Sequence, residues 1–567
     1  MTTRLSIGLW KVKHMIDSNE NYSNFWQESR DFTVENNVYK GPVVYNTNVY
    51  KNLGHMIWDK LNSYGDTIAR IDAQTEETIT YKELQVKTVK CALWLKQQGI
   101  GRDDVVSICC PSHMNSIVPC LSATYVAAIF NGMDEDMDLP TALHCIKLIK
   151  PKAIFCTAKP LNVIRTAVTE ANYNIKVVVF DDNSDEFSFS DILNGYTDAE
   201  IANFRYVEHD ILKQTACIVH SSGTINMPKG VELSNSTLMN LAINKTINMK
   251  NSVSFWFTSL YWITGVSLNL RAIAHGANVL LYPVFDEEMT CVIIEKYKVN
   301  ILYLSTSMMT RFLKAGYIKN YSLPSLRSII NGGAILKSSV QEDLKNLLPH
   351  VNILQSYGMT EFGGSITLQK PYHKSGSSGV VIDNVQLKIV DSDTGKVLGP
   401  NQSGEIWVKS PNMIIRYYNN PEETKRTIDE DGWFHTGDIG YVDVDGELFI
   451  LDRIKDIIKY KMYPLSPSEI EAVLSRHPAV REVAVVGVPH DLDTTHPLAF
   501  VTKKPDAKVT EEDLINYVAN NMTDYYKLRA GVIFLDKFPY TGSGKISKKE
   551  VNAMAKKLTV NGQVKQT

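Results

Sequence analysis

The sequence predicts an α/β protein: a large N-terminal domain of parallel-type sheets covered by helices, followed by a small, mobile α+β C-terminal domain. Three observations carry this reading. From about residue 50 to about residue 410, short apolar runs alternate with helical stretches, the pattern of parallel strands buried on both faces. Near residue 455 a second pattern begins, in which Ser466-Pro467-Ser468-Glu469 has the form of a capping box with proline in the first helical turn. Between the two, Asp452-Arg453-Ile454-Lys455-Asp456 alternates in charge and suits a hinge.

The apolar runs at 105–109, 153–156, 176–180, 216–219, 279–282 and 301–304 read as buried strands. The longest apolar stretch, 116–130, contains Pro119; it is too short to span a bilayer and reads as a buried helix. In the second unit, Ile470, Val473 and Leu474 form one helical stripe that Pro478 closes, 483–488 reads as a strand, and 513–522 as a helix. Residues 1–40 are polar and irregular and read as an N-terminal extension. The expected division is therefore 1–40 extension, 41–452 large domain, 453–456 hinge and 457–567 small domain.

A chain of 567 residues with 44% hydrophobic and 21% charged residues has material for more than one core. Its net charge of −3 gives no reason to expect a nucleic-acid or anionic-membrane partner. The eight cysteines form no zinc-type CxxC pair and no disulfide framework, so buried free thiols and a reducing compartment are expected. Residues 1–20 lack the apolar core of a signal peptide. The end Val564-Lys565-Gln566-Thr567 is not a Ser-Lys-Leu peroxisomal address. A cytoplasmic location is expected, with the peroxisome left open. Oligomeric state is not legible.

After the apolar run at 216–219 come Ser221, Ser222, Gly223 and Thr224, then Ile225-Asn226-Met227-Pro228-Lys229. Hydroxyls and backbone N–H groups can donate to phosphate oxygens, and Lys229 adds a point charge. The order is not that of a P-loop, and a polar surface turn is the plain alternative. The stretch resembles the phosphate loop of the adenylate-forming enzymes: acyl-CoA synthetases, beetle luciferases and the adenylation domains of peptide synthetases. Those enzymes usually have Thr-Gly where this chain has Ile225-Asn226. Asparagine can adopt the left-handed backbone that glycine supplies. Ile225 has no hydroxyl, so one phosphate contact is expected to be lost and nucleotide turnover to be slower.

The resemblance extends along the chain in the family's order, over about residues 50–550. Gln355-Ser356-Tyr357-Gly358-Met359-Thr360-Glu361 matches the family's adenine and magnesium segment. It implies nucleotide contacts from Ser356, Tyr357, Gly358 and Met359, an α-phosphate donor in Thr360 and a Mg²⁺ ligand in Glu361. Asn331-Gly332-Gly333-Ala334 resembles the loop lining the acyl and adenine pockets. Gly432-Trp433-Phe434-His435-Thr436-Gly437-Asp438 places Asp438 where the family binds both ribose hydroxyls, with Arg453 as the second ribose contact and Ile450 in the same nucleotide set. Lys545, in Thr541-Gly542-Ser543-Gly544-Lys545-Ile546, matches the lysine that reaches across the domain cleft to the reacting carboxylate.

Two half-reactions are implied, using ATP, Mg²⁺ and coenzyme A. A carboxylate attacks the α-phosphorus, aided by Lys229 and Lys545; the small domain then rotates, exchanging Lys545 for Lys459, and coenzyme A takes the acyl group. Met462 stands where most relatives have glycine beside the pantetheine tunnel, so a narrower tunnel and slow thioester formation are expected. The acyl pocket is expected to include Tyr261, Trp262 and Thr264. Beetle luciferases have His-His-Gly where this chain has Tyr261-Trp262-Ile263, and Leu241 replaces an arginine of the luciferin site. A medium- or long-chain fatty acid is therefore the expected substrate. The alternatives are a luciferase-like monooxygenase with weak light emission and a non-catalytic acyl- or nucleotide-binding relative. No carrier segment is present, so free coenzyme A is the expected acceptor.

Overall fold

A computed structural model describes residues 32–44, 50–181, 187–208, 211–221, 227–244, 247–461, 463–540, 545–560 and 563–564. Two large sheets carry the α/β alternation. In the first, Val105–Cys109 lies between Ile129–Met133 and Ala153–Cys156, all parallel, and every residue of these three strands is buried. Lys176–Val179 extends one side in parallel. On the other side, Thr215–Ser221 runs parallel to Ile129–Met133 and then turns back antiparallel into Lys229–Ser234. The second sheet has a parallel centre of Ile68–Asp72, Asn278–Leu281, Val253–Trp256, Ile301–Ser305, Ser328–Gly332 and Asn352–Met359, with antiparallel strands at both edges. Helices pack on these faces because continuous Val/Ile/Leu strands must be covered on both sides.

Two sequence expectations are corrected here. The 116–130 stretch is not one helix: Ile117–Tyr125 is helical and fully buried, Ala127 turns the chain with φ 59°, and Ile129–Met133 is already a strand. The residues at the end of the supposed extension are ordered structure. Thr33–Glu35 and Val38–Lys40 form a hairpin whose turn residues, Asn36 and Asn37, take φ 51° and 61°, as in a type I′ turn. This hairpin adds to Gln386–Val390, Gly404–Lys409, Phe434–Val442 and Leu448–Arg453 in an all-antiparallel six-stranded sheet that period-based reading did not foresee.

The small unit has its own core around Ile470, Leu474, Val485 and Val501. Val480–His490 and Thr494–Lys503 form its central hairpin. Pro467–Arg476 starts where the capping box was expected, but Ser466 does not cap it through its side chain. The buried carboxylate of Asp452 does so instead, accepting from the Ser468 N–H at 3.1 Å and the Ser466 hydroxyl at 2.7 Å. The helix predicted over 513–522 spans Glu511–Asn521 with a complete Thr510/Asp513 capping box. All eight cysteines are free and buried, as expected. Among the described residues no helix is long and apolar enough to cross a membrane.

At the turn before Leu448, Gly446 has φ +83°, and a Cβ there would lie 1.9 Å from Cζ of Phe32. Gly446→Ala is expected to destabilise the fold by about 2 kcal/mol. In a Phe32→Ala background the penalty should shrink markedly, measured as midpoint shifts in a denaturant double-mutant cycle; equal penalties in both backgrounds would show that the contact is unimportant.

Candidate active site

A cavity of about 540 Å³ opens at the carboxyl ends of the central strands, between the large sheets and the small unit. Crevices beyond the carboxyl ends of strands are where α/β proteins bind ligands. Six cations, Lys229, Arg271, Arg426, Arg453, Lys455 and Lys545, line it against three carboxylates, Glu361, Glu405 and Glu423. A surplus of positive charge in a concave, partly dry space suits a polyanion.

The nucleoside side follows from strand register. Asp438 and Arg453 are direct antiparallel partners on Phe434–Val442 and Leu448–Arg453. Arg453 Nε lies 3.0 Å from Asp438 Oδ1, and the Tyr357 hydroxyl donates to Oδ2 at 2.8 Å. Asp438 is thus fixed in orientation with lone pairs to spare, which is what two adjacent hydroxyls require. Ser356, Gly358 and Met359 line the cavity from the end of Asn352–Met359. Tyr357 and Asp438 lie just behind its wall.

On the phosphate side, Thr215–Ser221 and Lys229–Ser234 run antiparallel, and Lys229 pairs in register with Ser221. Lys229 Nζ donates to Glu423 Oε1 at 2.5 Å. Burial pushes the Glu423 carboxyl upward, but hydrogen bonds from Lys229 and Arg426 outweigh it and hold it below its ordinary value. Thr360 and Glu361 form a 3₁₀ turn. The Tyr417 hydroxyl donates to Glu361 Oε1 at 2.9 Å. Burial raises the Glu361 carboxyl pKa despite opposing hydrogen bonds from its own backbone, Tyr417 and Ser221. A buried carboxylate beside hydroxyl oxygens is a donor set that fits a hard divalent ion.

Lys545 reaches this cavity from the small unit. A Cβ on Gly333, at φ +96°, would sit 2.4 Å from Lys545 Cε and 2.7 Å from Nζ. The neighbouring Gly332 makes equivalent room for the Tyr303 hydroxyl. The Gly-Gly pair therefore exists to let two polar side chains approach the backbone. Burial, then Arg453, pushes the Lys545 ammonium down to about 8. Large-domain lysines hold the small unit in this position: Lys337 Nζ donates to the Glu471 carbonyl at 3.0 Å, and Lys314 Nζ to the carbonyls of Val480, at 3.2 Å, and Arg481.

Trp262, Ile263, Thr264, Ser267, Leu268 and Arg271 line the remaining wall, from the start of helix Ile263–His275 onward. Tyr261 does not line it; its ring stacks on His220 at 6.0 Å and meets Trp262 edge-on at 4.7 Å. Burial pushes the His220 imidazole down to about 4, so it is neutral.

The structure brings together Ser221, Lys229, Trp262, Thr264, Gly332, Gly333, Ser356, Gly358, Met359, Thr360, Glu361, Arg453 and Lys545 around one cavity. Ala334 lies beside it, its carbonyl accepting from Thr306 Oγ1 at 2.8 Å. Ile450 is half-buried on its strand and does not reach it. Lys459 is exposed on Ile458–Tyr460, away from the cavity. Ser222, Gly223, Thr224, Ile225, Asn226 and Met462 lie outside the described residues. Sequence reasoning missed His220, Arg271, Tyr303, Glu405, Tyr417, Glu423 and Arg426. Only His220, next to the phosphate loop, and Glu423, behind the Asn420-Pro421 helix start, had a local signal.

Residues 57–418 match the family model described as AMP-binding enzyme, and 469–545 that of the AMP-binding enzyme C-terminal domain. The chain is 31% identical over 526 residues to 4-coumarate–CoA ligase 4 of Arabidopsis thaliana, covering 88% of this chain and 90% of that one. It is 29% identical over 557 residues to a luciferin 4-monooxygenase of Photinus pyralis, covering 93% and 99%. Among solved structures, the luciferase-like enzyme from the nonluminescent mealworm Zophobas morio superposes with TM-score 0.69 at 28% identity, over 74% of this chain and all (100%) of that one. ATP-bound MatB from Rhodopseudomonas palustris shares the fold with TM-score 0.80 at 24% identity, over 90% and 99%.

Gly333→Ala is expected to displace the Lys545 ammonium and lower carboxylate-dependent ATP–pyrophosphate exchange by on the order of a hundredfold. ATP affinity, followed by equilibrium binding, should change far less. Exchange at the wild-type rate would show that Lys545 does not need this contact.

Proposed function

Because the chain belongs to the AMP-binding enzymes of the adenylate-forming superfamily, we propose that it activates a carboxylic acid with ATP and passes the acyl group to coenzyme A. The observation that carries this reading is Lys545, beside Gly333 in a cavity also lined by Lys229, Thr360 and Arg453, the last of these paired with Asp438 behind the wall.

In the first half-reaction, Asp438 accepts the ribose hydroxyls, and the Ser356–Met359 backbone lies along the base. Lys229 exchanges its Glu423 partner for phosphate oxygens, and Thr360 donates to the α-phosphate. The substrate carboxylate and the triphosphate repel each other; Lys545 sits where that repulsion peaks and neutralises it. The carboxylate oxygen bonds to the α-phosphorus as the bond to pyrophosphate breaks. Glu361 is the residue that fits Mg²⁺, which when bound supplies further charge neutralisation at the phosphates. In the second half-reaction, the small domain turns about residues 453–456, withdrawing Lys545 and presenting Lys459. The coenzyme A thiol loses its proton and attacks the adenylate carbonyl, and AMP leaves.

The wall formed by Trp262, Ile263 and Leu268 supports a fatty acid, and sharing one cavity with a nucleotide favours medium over long chains. An aromatic acid is the second reading, supported by the 4-coumarate–CoA ligase relative. Tyr261-Trp262-Ile263 and Leu241 speak against efficient light emission from luciferin.

An exchange screen over fatty and aromatic acids, with and without coenzyme A, tests the proposal; no response to any acid would reject it. Lys545→Ala should lower exchange about a hundredfold or more. Lys459→Ala should spare exchange and slow thioester release. A variant pair that affects both steps equally would rule out the division of labour.

The pH dependence has a definite sign. A lysine is charged below its pKa, and that of Lys545 is depressed to about 8. The charged form is the useful one, so kcat/KM for adenylation should fall as pH rises through about 8. Lys545→Arg should remove this limb, even at lower absolute activity.

A further inference from the structure

Helix Ile263–His275 shows the cavity one face. Thr264, Ser267, Leu268 and Arg271 recur at three- and four-residue intervals, and all four line the wall. Arg271 lies two turns beyond Thr264, about 10 Å farther along the axis. It is therefore at the end of the acyl pocket remote from the start of the helix.

Arg271 is 8% exposed. Its Nη1 donates to the carbonyls of Asn244 at 2.5 Å and Ile247 at 3.4 Å. A guanidinium has more N–H groups than these two acceptors use. Among the described residues no carboxylate pairs with it. The three carboxylates of the cavity are engaged elsewhere: Glu361 by Tyr417, Glu423 by Lys229 and Arg426, and Glu405 by the Trp407 indole and the Gly437 N–H. Burial is the sole cause that moves its pKa, down to about 10, and no anion opposes it. Ile247, Leu268 and Ile330 supply apolar wall to the same cavity.

A buried cation in an apolar-walled pocket is costly unless a partner arrives. From this geometry we infer that Arg271 is a subsite for a second carboxylate, so that the acid preferred by this protein is dicarboxylic. The inference rests on the adenylation reading and narrows its substrate class. The methylene chain would lie along Leu268, one carboxylate near Lys545 and Thr360 and the other on the guanidinium, whose planar fork suits a carboxylate. The methyl end of a plain fatty acid would displace water from Arg271 and offer no hydrogen bond in return. A purely structural Arg271, bracing the Asn244 and Ile247 carbonyls, would leave substrate preference untouched.

The test compares acids of equal length on the wild-type protein: suberic acid, its monomethyl ester and octanoic acid, with adipic/hexanoic and sebacic/decanoic pairs to cover length. In ATP–pyrophosphate exchange, the best diacid should exceed its monoacid in kcat/KM by on the order of tenfold or more, the effect of one charge-assisted hydrogen bond. The ester should behave as the monoacid. Arg271→Met should abolish the preference, chiefly through KM. Monoacids equal to or better than diacids at every length in the wild type would overturn the inference, and this arm stands even if the variant fails to fold. Exchange with monoacids alone leaves the adenylation reading intact, whereas exchange with no acid rejects that reading and the subsite together.

Discussion

The site depends on holding like charges close together in a space with little water. Lys229, Arg453, Lys455 and Lys545 line one cavity, and at short range their mutual repulsion is substantial once solvent is thinned. The protein manages it in two ways. Lys229 and Arg453 are tied to Glu423 and Asp438. Lys455 and Lys545 are left with lowered pKa values, through burial first and Arg453 second. The free protein thus stores an electrostatic demand that a polyanion satisfies, and the glycine pair at 332–333 lets Lys545 and Tyr303 come close enough to share the space.

That arrangement requires the small unit to be docked, and its docking is built from lysines and backbone carbonyls. Lys314 and Lys337 donate to carbonyls of the small unit, while Lys548 Nζ meets Glu471 Oε1 at 2.5 Å within it. Such contacts bury little apolar surface and can be exchanged for water at modest cost. Asp452 differs: it is buried and ties the Ser468 N–H and the Ser466 hydroxyl to the end of Leu448–Arg453. A firm anchor beside a short 3₁₀ turn at Ile454–Asp456 is compatible with the rotation of the small unit proposed above. In the docked arrangement Lys545 faces the cavity while Lys459 is exposed on the same unit.

How much was legible in sequence follows from how local each signal is. Val105–Cys109 and Ala153–Cys156 were readable because strands buried on both faces are continuously apolar. Asp438 and Arg453 were readable through the family resemblance of the motifs that carry them, and the structure makes them cross-strand partners. The hairpin at Thr33–Lys40 was missed because its strands are three residues each, although Asn36-Asn37 is a turn signal that could have exposed it. The Lys229–Glu423 pair joins residues 194 apart, and no local pattern encodes such a meeting. Arg271 was hidden for the opposite reason: in an apolar helix it looks like an interruption, and only the cavity reveals which face it is on.

The titration behaviour of the site ties these threads together. Glu361 has a raised pKa and Lys545 a lowered one, each moved first by burial. Both shifts have the same first cause, the burial of an ionisable group in the cavity wall. A bound triphosphate would raise the Lys545 pKa, so the complex would take up a proton there at pH near or above about 8. A divalent cation beside Glu361 would lower its pKa and release any proton the carboxyl held. The two groups therefore move in opposite directions as the nucleotide enters, each toward its charged form. The energy gained is not confined to the contacts themselves; it includes relief of the burial penalty that folding had imposed on both groups. Since that penalty is imposed at Lys545 only while the small unit is docked, filling the cavity with phosphate favours the docked state. Departure of pyrophosphate would remove much of the negative charge that favours it, leaving the Asp452 anchor and the lysine–carbonyl contacts between the two units.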